Sequence, residues 1–462
     1  MSDPARTFQF IVEGRWTAVM AVIGLFALFT VGACLDRGFE ESASLDPELV
    51  SALSTAGVEP LGSPPAPSRE LVELGRLLMF DKILSGNKNI SCGTCHHPSY
   101  HSTDNLALAI GTGGLHAGAT RQVLSAHLSA RNTSDLYNRG LLEWNSLFWD
   151  GRVARVGATL RTPAGSALPA GVTSLLVAQA MFPVVARDEM RGYPGDTTSI
   201  GEPNELAPYP DDDWQPVWQG LTHRVLAIPA YVLLFRAAFP SVDSASLGFE
   251  HVAIALAAFE SSTFTLLDSP FDRYLAGDRT ALSDSAKRGA LLFYGRGQCS
   301  RCHSGSLMTD QEFHNIGVPP LERPGVDSLD QGRGAVSGSS VDRFAFRTPP
   351  LRNVSVTGPW MHDGVYSTLE AAVKHYRDPS QSLQEYEPAQ LDSRYRGLYH
   401  PSESDNQRIL ASLDPLVSRP LSLSEGDVAD LVAFLRTLTD PRALNQVRII
   451  PAQVPSGLPV FR

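Results

Sequence analysis

Two short cysteine motifs constrain this chain more than any other feature of its sequence. Residues 92–96 read Cys-Gly-Thr-Cys-His, and residues 299–303 read Cys-Ser-Arg-Cys-His. Two thiols one helical turn apart can each bond a vinyl group of haem, and the histidine that follows can supply an axial nitrogen to the iron. A zinc site or a redox-active Cys-x-x-Cys pair has no need for histidine at that place. The pattern, present twice, predicts two covalently bound c-type haems.

The two motifs use four of the five cysteines, which leaves no pair for a structural disulfide in the body of the chain. The predicted haem-attachment residues are Cys92, Cys95 and His96 in the first motif and Cys299, Cys302 and His303 in the second. The net charge of −11 makes nucleic acid an unsuitable partner and fits a small basic redox protein.

The fifth cysteine, Cys34, lies near the end of an uncharged hydrophobic run, residues 16–35, that follows Arg6 and Arg15. This pattern is typical of an export signal. Val-Gly-Ala-Cys at 31–34 resembles a bacterial lipoprotein cleavage box, so we expect Cys34 to be the lipidated N-terminus. An uncleaved membrane anchor and a plain signal peptide are the alternatives. All three place the body outside the cytoplasm, and we expect a periplasmic protein tethered to the membrane.

We expect a mainly α fold with two cytochrome c-like haem domains in tandem, joined by long loops, after the N-terminal signal or lipoprotein segment. Gly-Arg-Leu-Leu at 75–78 precedes the first motif, and Gly-Ala-Leu-Leu at 289–292 precedes the second, which indicates a duplicated unit. The expected divisions are 1–34 as signal peptide or membrane anchor, 35–67 as a flexible proline-containing linker, 68–243 as the N-terminal haem domain, and 244–462 as the C-terminal haem domain and tail.

Three helices are predicted within this body. Ser68 and Ser424 each carry the pattern of a helix N-cap followed by apolar residues at helical spacing. Residues 246–259 are expected to form a buried helix at the junction of the two domains.

Further motifs give the chain, from about residue 68 to about residue 458, a resemblance to the bacterial di-haem cytochrome c peroxidases and their relative MauG. These motifs are Leu-Phe-Trp-Asp-Gly-Arg at 147–152, Ala-Gln-Ala-Met-Phe-Pro at 178–183, Arg-Asp-Glu-Met at 187–190, Phe-His-Asn at 313–315, Phe-Arg-Thr-Pro-Pro-Leu-Arg-Asn at 346–353 and Thr-Gly-Pro-Trp-Met-His-Asp-Gly at 357–364. Together they are far more specific than any one alone.

The resemblance implies that the first haem is the peroxide site, with Glu189 and Gln179 above it. A carboxylate in an apolar pocket can take a proton from bound peroxide and return it to the leaving oxygen. Asp188 is equally available by sequence, and only the motif selects Glu189. The resemblance also places Trp149 between the haems as a stepping stone for electrons. Two histidines of the 111–131 loop, His116 and His127, lie outside the expected Gly-His-Gly setting, so we expect a first haem that is open without activation.

The second haem is expected to be closed by a ligand on its other face, which the resemblance assigns to Tyr376. The sequence supports this, because Leu369, Ala372, Val373 and Tyr376 follow a capping box and fall on one helix face. A core tyrosine bonded elsewhere is the alternative. A tyrosine ligand lowers the haem potential, whereas a methionine raises it. Met361 is the less favoured ligand.

The resemblance further implies one Ca²⁺ between the haems, held by Asn132, Thr357 and Pro359; a side-chain amide and two backbone carbonyls suit this ion.

Three functional hypotheses follow. The first is a peroxidase that reduces hydrogen peroxide with electrons from a periplasmic cytochrome c or cupredoxin. The second, favoured by Tyr376, is a MauG-like enzyme that modifies a partner protein through paired high-valent haems. The third is a non-enzymatic electron carrier with two closed irons.

Overall fold

Helices account for most of the regular structure in the computed structural model, which describes residues 44–123, 127–323, 326 and 328–461. The helices are α1 (Asp46–Thr55), α2 (Arg69–Phe80), α3 (Cys92–Cys95), α4 (Leu175–Ala180), α5 (Trp214–Leu226), α6 (Pro229–Ala238), α7 (Phe249–Thr263), α8 (Pro270–Leu275), α9 (Asp284–Tyr294), α10 (Arg333–Ser337), α11 (Leu369–His375), α12 (Pro379–Gln384), α13 (Glu403–Leu410) and α14 (Glu425–Arg436). The expectation of a mainly α protein with long loops is confirmed for this part of the chain.

Strands are few and short. The strands are β1 (Ser146–Leu147), β2 (Val153–Val156), β3 (Thr159–Arg161), β4 (Phe313–His314) and β5 (Phe346–Arg347). The first three form an antiparallel sheet in chain order, with Leu147 opposite Val153. The other two pair antiparallel, with Phe313 opposite Arg347. Trp149 lies in the turn between β1 and β2, Arg347 lies on β5, and Leu147 and Val153 of the first sheet are buried in the first core.

The first hydrophobic core is built on the crossing of α2 and α7. Ser68 caps α2 by accepting from the backbone N–H of Leu71, as its sequence predicts. A Cβ atom on Gly75 would overlap the carbonyl oxygen of Ala255, so only glycine allows the two helix backbones to approach this closely. This crossing lies directly before the first cysteine motif.

The second core repeats this arrangement with α9 and α14. Ser424 caps α14 in a reciprocal capping box with Asp427, in agreement with the sequence. A Cβ atom on Gly289 would overlap the carbonyl oxygen of Asp430. Each cysteine motif therefore follows a helix whose glycine contacts the backbone of a later helix.

The packing of α7 differs from the expected domain division. Phe249 and Phe259 are buried in the first core, as are Phe264 and Leu266 after the helix, whereas Phe271 belongs to the second core. The boundary expected at 243/244 would assign α7 to the second domain. The helix is buried as predicted, but its apolar residues pack on α2 rather than at a junction, so this part of the chain passes from one core to the other between Leu266 and Phe271.

The expectation of a flexible linker over 35–67 is wrong for its central part. Residues 46–55 form α1, which packs on α9 in the second core. Leu49 and Leu53, one turn apart, are buried there, and Lys287 forms an ion pair with Asp46 at 2.8 Å. Proline content suggested an extended tether, but this apolar pair provides a docking face.

The hydrophobic run 16–35 and the predicted lipidation residue Cys34 lie outside the described residues. In the part that the structure describes, no single helix has the length and hydropathy to cross a membrane. Helices α5 and α6 have the required length and hydropathy only when they are taken together, and a bend of 103° separates the two.

Candidate haem sites

The first cysteine motif forms the one-turn helix α3. The turn is held at its start by a hydrogen bond from the backbone N–H of Ser91 to the hydroxyl of Thr94, at 2.9 Å. His96 follows, and its Nδ1 lies 3.0 Å from the carbonyl oxygen of Ser102. Because a carbonyl only accepts, Nδ1 carries the proton and Nε2 keeps its lone pair. The fold therefore presents the nitrogen that an iron ligand requires.

The second motif repeats this orientation with a different turn. Cys299 opens a short 3₁₀ turn, and the Nδ1 of His303 lies 3.2 Å from the carbonyl oxygen of Met308. Burial lowers the pKa of His303 to about 4, and burial also lowers the pKa of His96. Both imidazoles are thus neutral near pH 7 and hold the same tautomer, with Nε2 available as a ligand.

A cavity of about 740 Å³ surrounds the first motif. Its walls bring together the residues that the sequence assigns to the first haem, namely Cys92, Cys95, His96, Gln179, Glu189 and Trp149. The volume lies within the usual range for ligand pockets, roughly 300–1,000 Å³.

Two buried polar atoms in this wall indicate that the cavity suits a polar, haem-sized group. Glu260 Oε2 and Arg139 Nη1 have no hydrogen-bond partner among the described residues. Buried polar groups are almost always paired, so both point to a ligand. The thiols of Cys92 and Cys95 are free to form thioethers. The residues therefore fit a c-type haem.

Glu189 lies on a single π-helical turn, Arg187–Arg191, closed by i→i−5 bonds such as that from the Arg191 N–H to the Ala186 carbonyl. Such turns are frequent at functional sites. The Glu189 side chain is deep in the molecule but faces the cavity, where 32% of its surface remains accessible. Burial raises its pKa, partly opposed by the cation of Arg152 at 3.9 Å.

Asp188 is held by other partners. Its carboxylate accepts from the hydroxyl of Tyr193 and lies 3.4 Å from the guanidinium of Arg323. Among the described residues, the Glu189 carboxylate, by contrast, has only the longer contact with Arg152. The partners of the two side chains therefore distinguish Asp188 from Glu189, which the sequence alone could not do. Gln179, on α4, lines the same cavity.

A charged network continues from Arg152, and sequence reasoning did not single out its members. Arg152 contacts Asp150 at 3.0 Å, and Asp150 contacts Arg131 at 2.6 Å. Arg131 also binds Asp330 at 2.7 Å. The two cations lower the pKa of Asp150 to about 2. Two members, Asp150 and Arg152, belong to the Leu-Phe-Trp-Asp-Gly-Arg motif at 147–152, and the described network had no other signal in the sequence.

The second motif lines a narrower cavity, of about 190 Å³. Its walls contain Cys299, Cys302, His303, Tyr376 and Met361. The thiols, the neutral imidazole and the phenol are a suitable donor set for a c-type haem. Because the haem is larger than this cavity, the lining side chains must shift to admit it.

Tyr376 lies at the C-terminal end of α11 and faces this cavity, where burial raises the pKa of its phenol. The neighbouring His375 is also buried but is bonded elsewhere. Its Nε2 lies 2.8 Å from the carbonyl of Ile316, and its Nδ1 lies 2.9 Å from the hydroxyl of Tyr366. The helix thus directs Tyr376 and His375 to different surroundings.

Trp149 and Arg347 are the two described residues that line both cavities. The indole N–H of Trp149 donates to the carbonyl of Asn132 at 3.0 Å, and the backbone N–H of Arg347 donates to the carbonyl of Trp149 at 2.7 Å. Trp149 was expected between the haems, whereas Arg347 had not been singled out. A buried arginine has no signal of its own in a single sequence, because most arginines are exposed.

Of the predicted calcium residues, Asn132 contacts the segment that follows the other two. Its backbone N–H donates to the carbonyl of His362 at 2.7 Å, three residues after Pro359. The side-chain amide nitrogen of Asn132 donates to the Leu106 carbonyl. The set contains no carboxylate, so any Ca²⁺ there would need several waters.

His116 and His127 are both exposed, and neither lines the first cavity. His127 packs its ring against Tyr193 at a centroid distance of 4.2 Å. Neither is placed as a ligand in this structure.

Comparison with known proteins gives one consistent result. The model of the di-haem cytochrome c peroxidase family matches residues 69–280. The methylamine utilization protein MauG of Methylorubrum extorquens is 32% identical over 81% of this chain and 80% of that protein. The cytochrome c551 peroxidase of Pseudomonas aeruginosa is 30% identical over 66% of this chain and 71% of that protein. A solved MauG-like protein associated with microbial copper homeostasis superposes with a TM-score of 0.58 at 26% identity, covering 84% of this chain and 96% of that one.

Proposed function

The chain belongs to the di-haem cytochrome c peroxidase and MauG family, and from this premise we propose that it reduces hydrogen peroxide to water. The reaction joins one H₂O₂ with two electrons and two protons and yields two molecules of water. Members of this family are oxidoreductases and hold two c-type haems, so a purely electron-carrying role is not retained. The observation that carries the proposal is the single cavity that unites His96 with Glu189 and Gln179.

In the first cavity, Cys92, Cys95 and His96 would hold a haem whose iron binds peroxide and supplies the electron chemistry. Glu189 would act as the proton carrier: its carboxylate takes the proton from the near peroxide oxygen and returns it to the far oxygen, which leaves as water. Burial raises the pKa of Glu189 and the Arg152 cation opposes that rise, a balance that suits a group that must both accept and donate a proton. The amide of Gln179 would orient the peroxide by hydrogen bonding.

The second cavity would hold the electron-relay haem, through Cys299, Cys302 and His303. Trp149, in the wall of both cavities, would shorten the electron path between them. A small basic cytochrome c or a cupredoxin is the proposed donor, because the net charge of −11 attracts a cationic partner.

One observation favours a second candidate function. Tyr376 faces the second cavity together with both cysteines of its motif. A phenolate ligand there would lower the haem potential and stabilise oxidised states. The enzyme could then draw electrons from a side chain of a partner protein, as proposed for a MauG-like role.

Location and architecture belong to the same proposal. We expect two cytochrome c-like units in tandem, exported to the periplasm and tethered through Cys34, with one Ca²⁺ near Asn132. The repeated glycine crossings at Gly75 and Gly289 support the tandem arrangement.

The test is the addition of peroxide to the fully oxidised protein, with and without prior reduction of one haem. Sustained oxidation of a reduced cytochrome c by peroxide is the result expected of a peroxidase, and the open first haem predicts it without prior half-reduction. A spectral change of both haems without reduction would favour the MauG-like role. Absence of any reaction in every redox state would refute both.

A further inference from the structure

Arg347 is a buried cation in the wall that the two cavities share. Only 4% of the residue is exposed. Its guanidinium donates to two backbone carbonyls, those of Phe148 at 3.1 Å and Thr348 at 3.3 Å. No carboxylate of the described chain forms an ion pair with it. Burial lowers its pKa to about 9, so at neutral pH it remains charged.

A buried charge without a counter-charge is costly, and this chain pairs a comparable one. Arg352, five residues later and also buried, binds the carboxylate of Asp272 at 2.5 Å. Removing ions from water costs several kcal/mol each unless a partner offsets it. Unlike Arg352, Arg347 has no carboxylate of the described residues within ion-pair distance, and Asp135 and Asp150 act on it only from farther away, so a direct anionic partner is still missing.

A second guanidinium strengthens this conclusion. Arg139 lies with its Cζ 4.7 Å from the ring centroid of Trp144, and Arg347 lies with its Cζ 5.1 Å from the same ring. Arg139 lines the first cavity and pairs with Asp135 at 3.2 Å, but its Nη1 has no partner. Two buried guanidiniums therefore contact one indole, and of the two only Arg139 has a carboxylate at ion-pair distance.

We propose that Arg347 binds anionic carboxylate substituents of the groups held in both cavities, namely haem propionates, and that its charge acts on both irons. The inference rests on the proposed function in that it requires two bound haems. Of the two described residues that line both cavities, Arg347 is the cation and Trp149 is neutral, whereas Arg139 borders only the first cavity. The guanidinium group is planar and carries several N–H donors, so it can bind carboxylates that approach from two directions.

The consequence is a shared effect on reduction. A positive charge stabilises the reduced, less positive form of each iron, so Arg347 raises both midpoint potentials. A unit charge at about 10 Å, in a medium of effective dielectric constant about 20, changes an equilibrium by roughly tenfold. For a one-electron couple, tenfold corresponds to 59 mV.

The experiment compares Arg347→Gln, Arg347→Lys and the exposed control Arg161→Gln in the haem-loaded protein. Spectroelectrochemical titration measures both midpoint potentials, and a pyridine haemochrome assay counts the haems. We expect Arg347→Gln to lower both midpoint potentials, so that the equilibrium constant for reduction of each haem falls about tenfold. Arg347→Lys should keep most of this effect, and Arg161→Gln should leave both potentials unchanged.

Unchanged potentials in folded, fully loaded Arg347→Gln, or a shift at one haem only, would overturn the proposal. Should Arg347→Gln fail to accumulate, Arg347→Lys decides: the propionate bending bands in its resonance Raman spectrum are expected to shift for both haems, and unshifted bands would overturn the proposal. A wild-type protein with fewer than two haems would instead refute the proposed function itself.

Discussion

The indole N–H of Trp149 donates to the backbone carbonyl of Asn132 across 3.0 Å, and this bond fixes the ring between the two haem cavities. A fixed aromatic ring divides one long electron step into two shorter ones. We expect Trp149→Phe to lower kcat for peroxide reduction roughly tenfold, or about 1.4 kcal/mol in barrier height. Stopped-flow peroxide binding to the half-reduced protein should be unchanged.

Trp218→Phe is the matched control for this change. Trp218 is also buried and donates its indole N–H to a backbone carbonyl, that of Met181 at 2.9 Å, but it lines neither cavity. Equal losses of kcat in the two variants would show that the indole acts through packing alone.

Glu189→Gln should reduce peroxide turnover by a factor of about 10² to 10⁴, the usual contribution of a proton-transferring side chain. Only the ionised carboxylate can accept the proton, so wild-type kcat/KM should fall as pH decreases through the Glu189 pKa. Because burial raises that pKa, the fall should lie at higher pH than for an exposed glutamate. The Glu189→Gln variant should lack this acid limb, that is, the fall of kcat/KM at low pH.

Asp188→Asn is the control, since Asp188 is engaged by Tyr193 and Arg323. We expect it to keep the acid limb and most of the turnover. Loss of the limb in Asp188→Asn, with retention in Glu189→Gln, would reverse the assignment of the two carboxylates.

Tyr376→Met should raise the midpoint potential of the second haem and change its visible spectrum, because a thioether would replace a phenolate at the iron. Tyr376→Phe should change the spectrum as well. Tyr366→Phe is the control, because Tyr366 hydrogen-bonds His375 and Ser382 and does not line the cavity. An identical spectrum in wild type and both Tyr376 variants would exclude this residue as a ligand.

Gly289→Ala should destabilise the second core by about 1–3 kcal/mol, the usual cost of overpacking. The new methyl group would overlap the carbonyl oxygen of Asp430 and push α9 away from α14. Thermal unfolding followed by circular dichroism measures the change. Gly62→Ala, whose added Cβ atom would meet nothing within 4 Å, should leave the transition in place.

Leu49→Ala should cost about 2–5 kcal/mol, since Leu49 is fully buried where α1 meets the second core. Val50→Ala, at a position that is 37% exposed on the same helix, should have little effect. Denaturant titration of both variants tests the docking of α1, and equal, small losses would contradict it.

Local signals in the sequence predict the parts of the site that depend on short-range order. The cysteine motifs, the caps at Ser68 and Ser424 and the helix that directs Tyr376 all involve residues within one or two turns, where periodicity and capping decide the structure. The structure agrees with the placement of each, except that α11 is capped by Thr368 and has no capping box.

Long-range pairings decide what the sequence could not show. Helix α1 is short and buries two leucines, Leu49 and Leu53, and only its distant partner α9 reveals them as a docking face. The assignment of α7 to the first core likewise depends on Gly75 meeting Ala255. The roles of Arg139 and Arg347 follow from burial, which residue type alone predicts wrongly for arginine.

The docking of α1 also sets an order of events during synthesis. The contact between Asp46 and Lys287 spans 241 positions of the chain, so the first helix that the structure describes must wait for a late one to find its partner. Until α9 has been synthesised, Leu49 and Leu53 lack the helix that buries them. Helix α1 is therefore covered only once α9 has formed. A product truncated before residue 284, where α9 begins, would leave α1 uncovered and accessible to proteases.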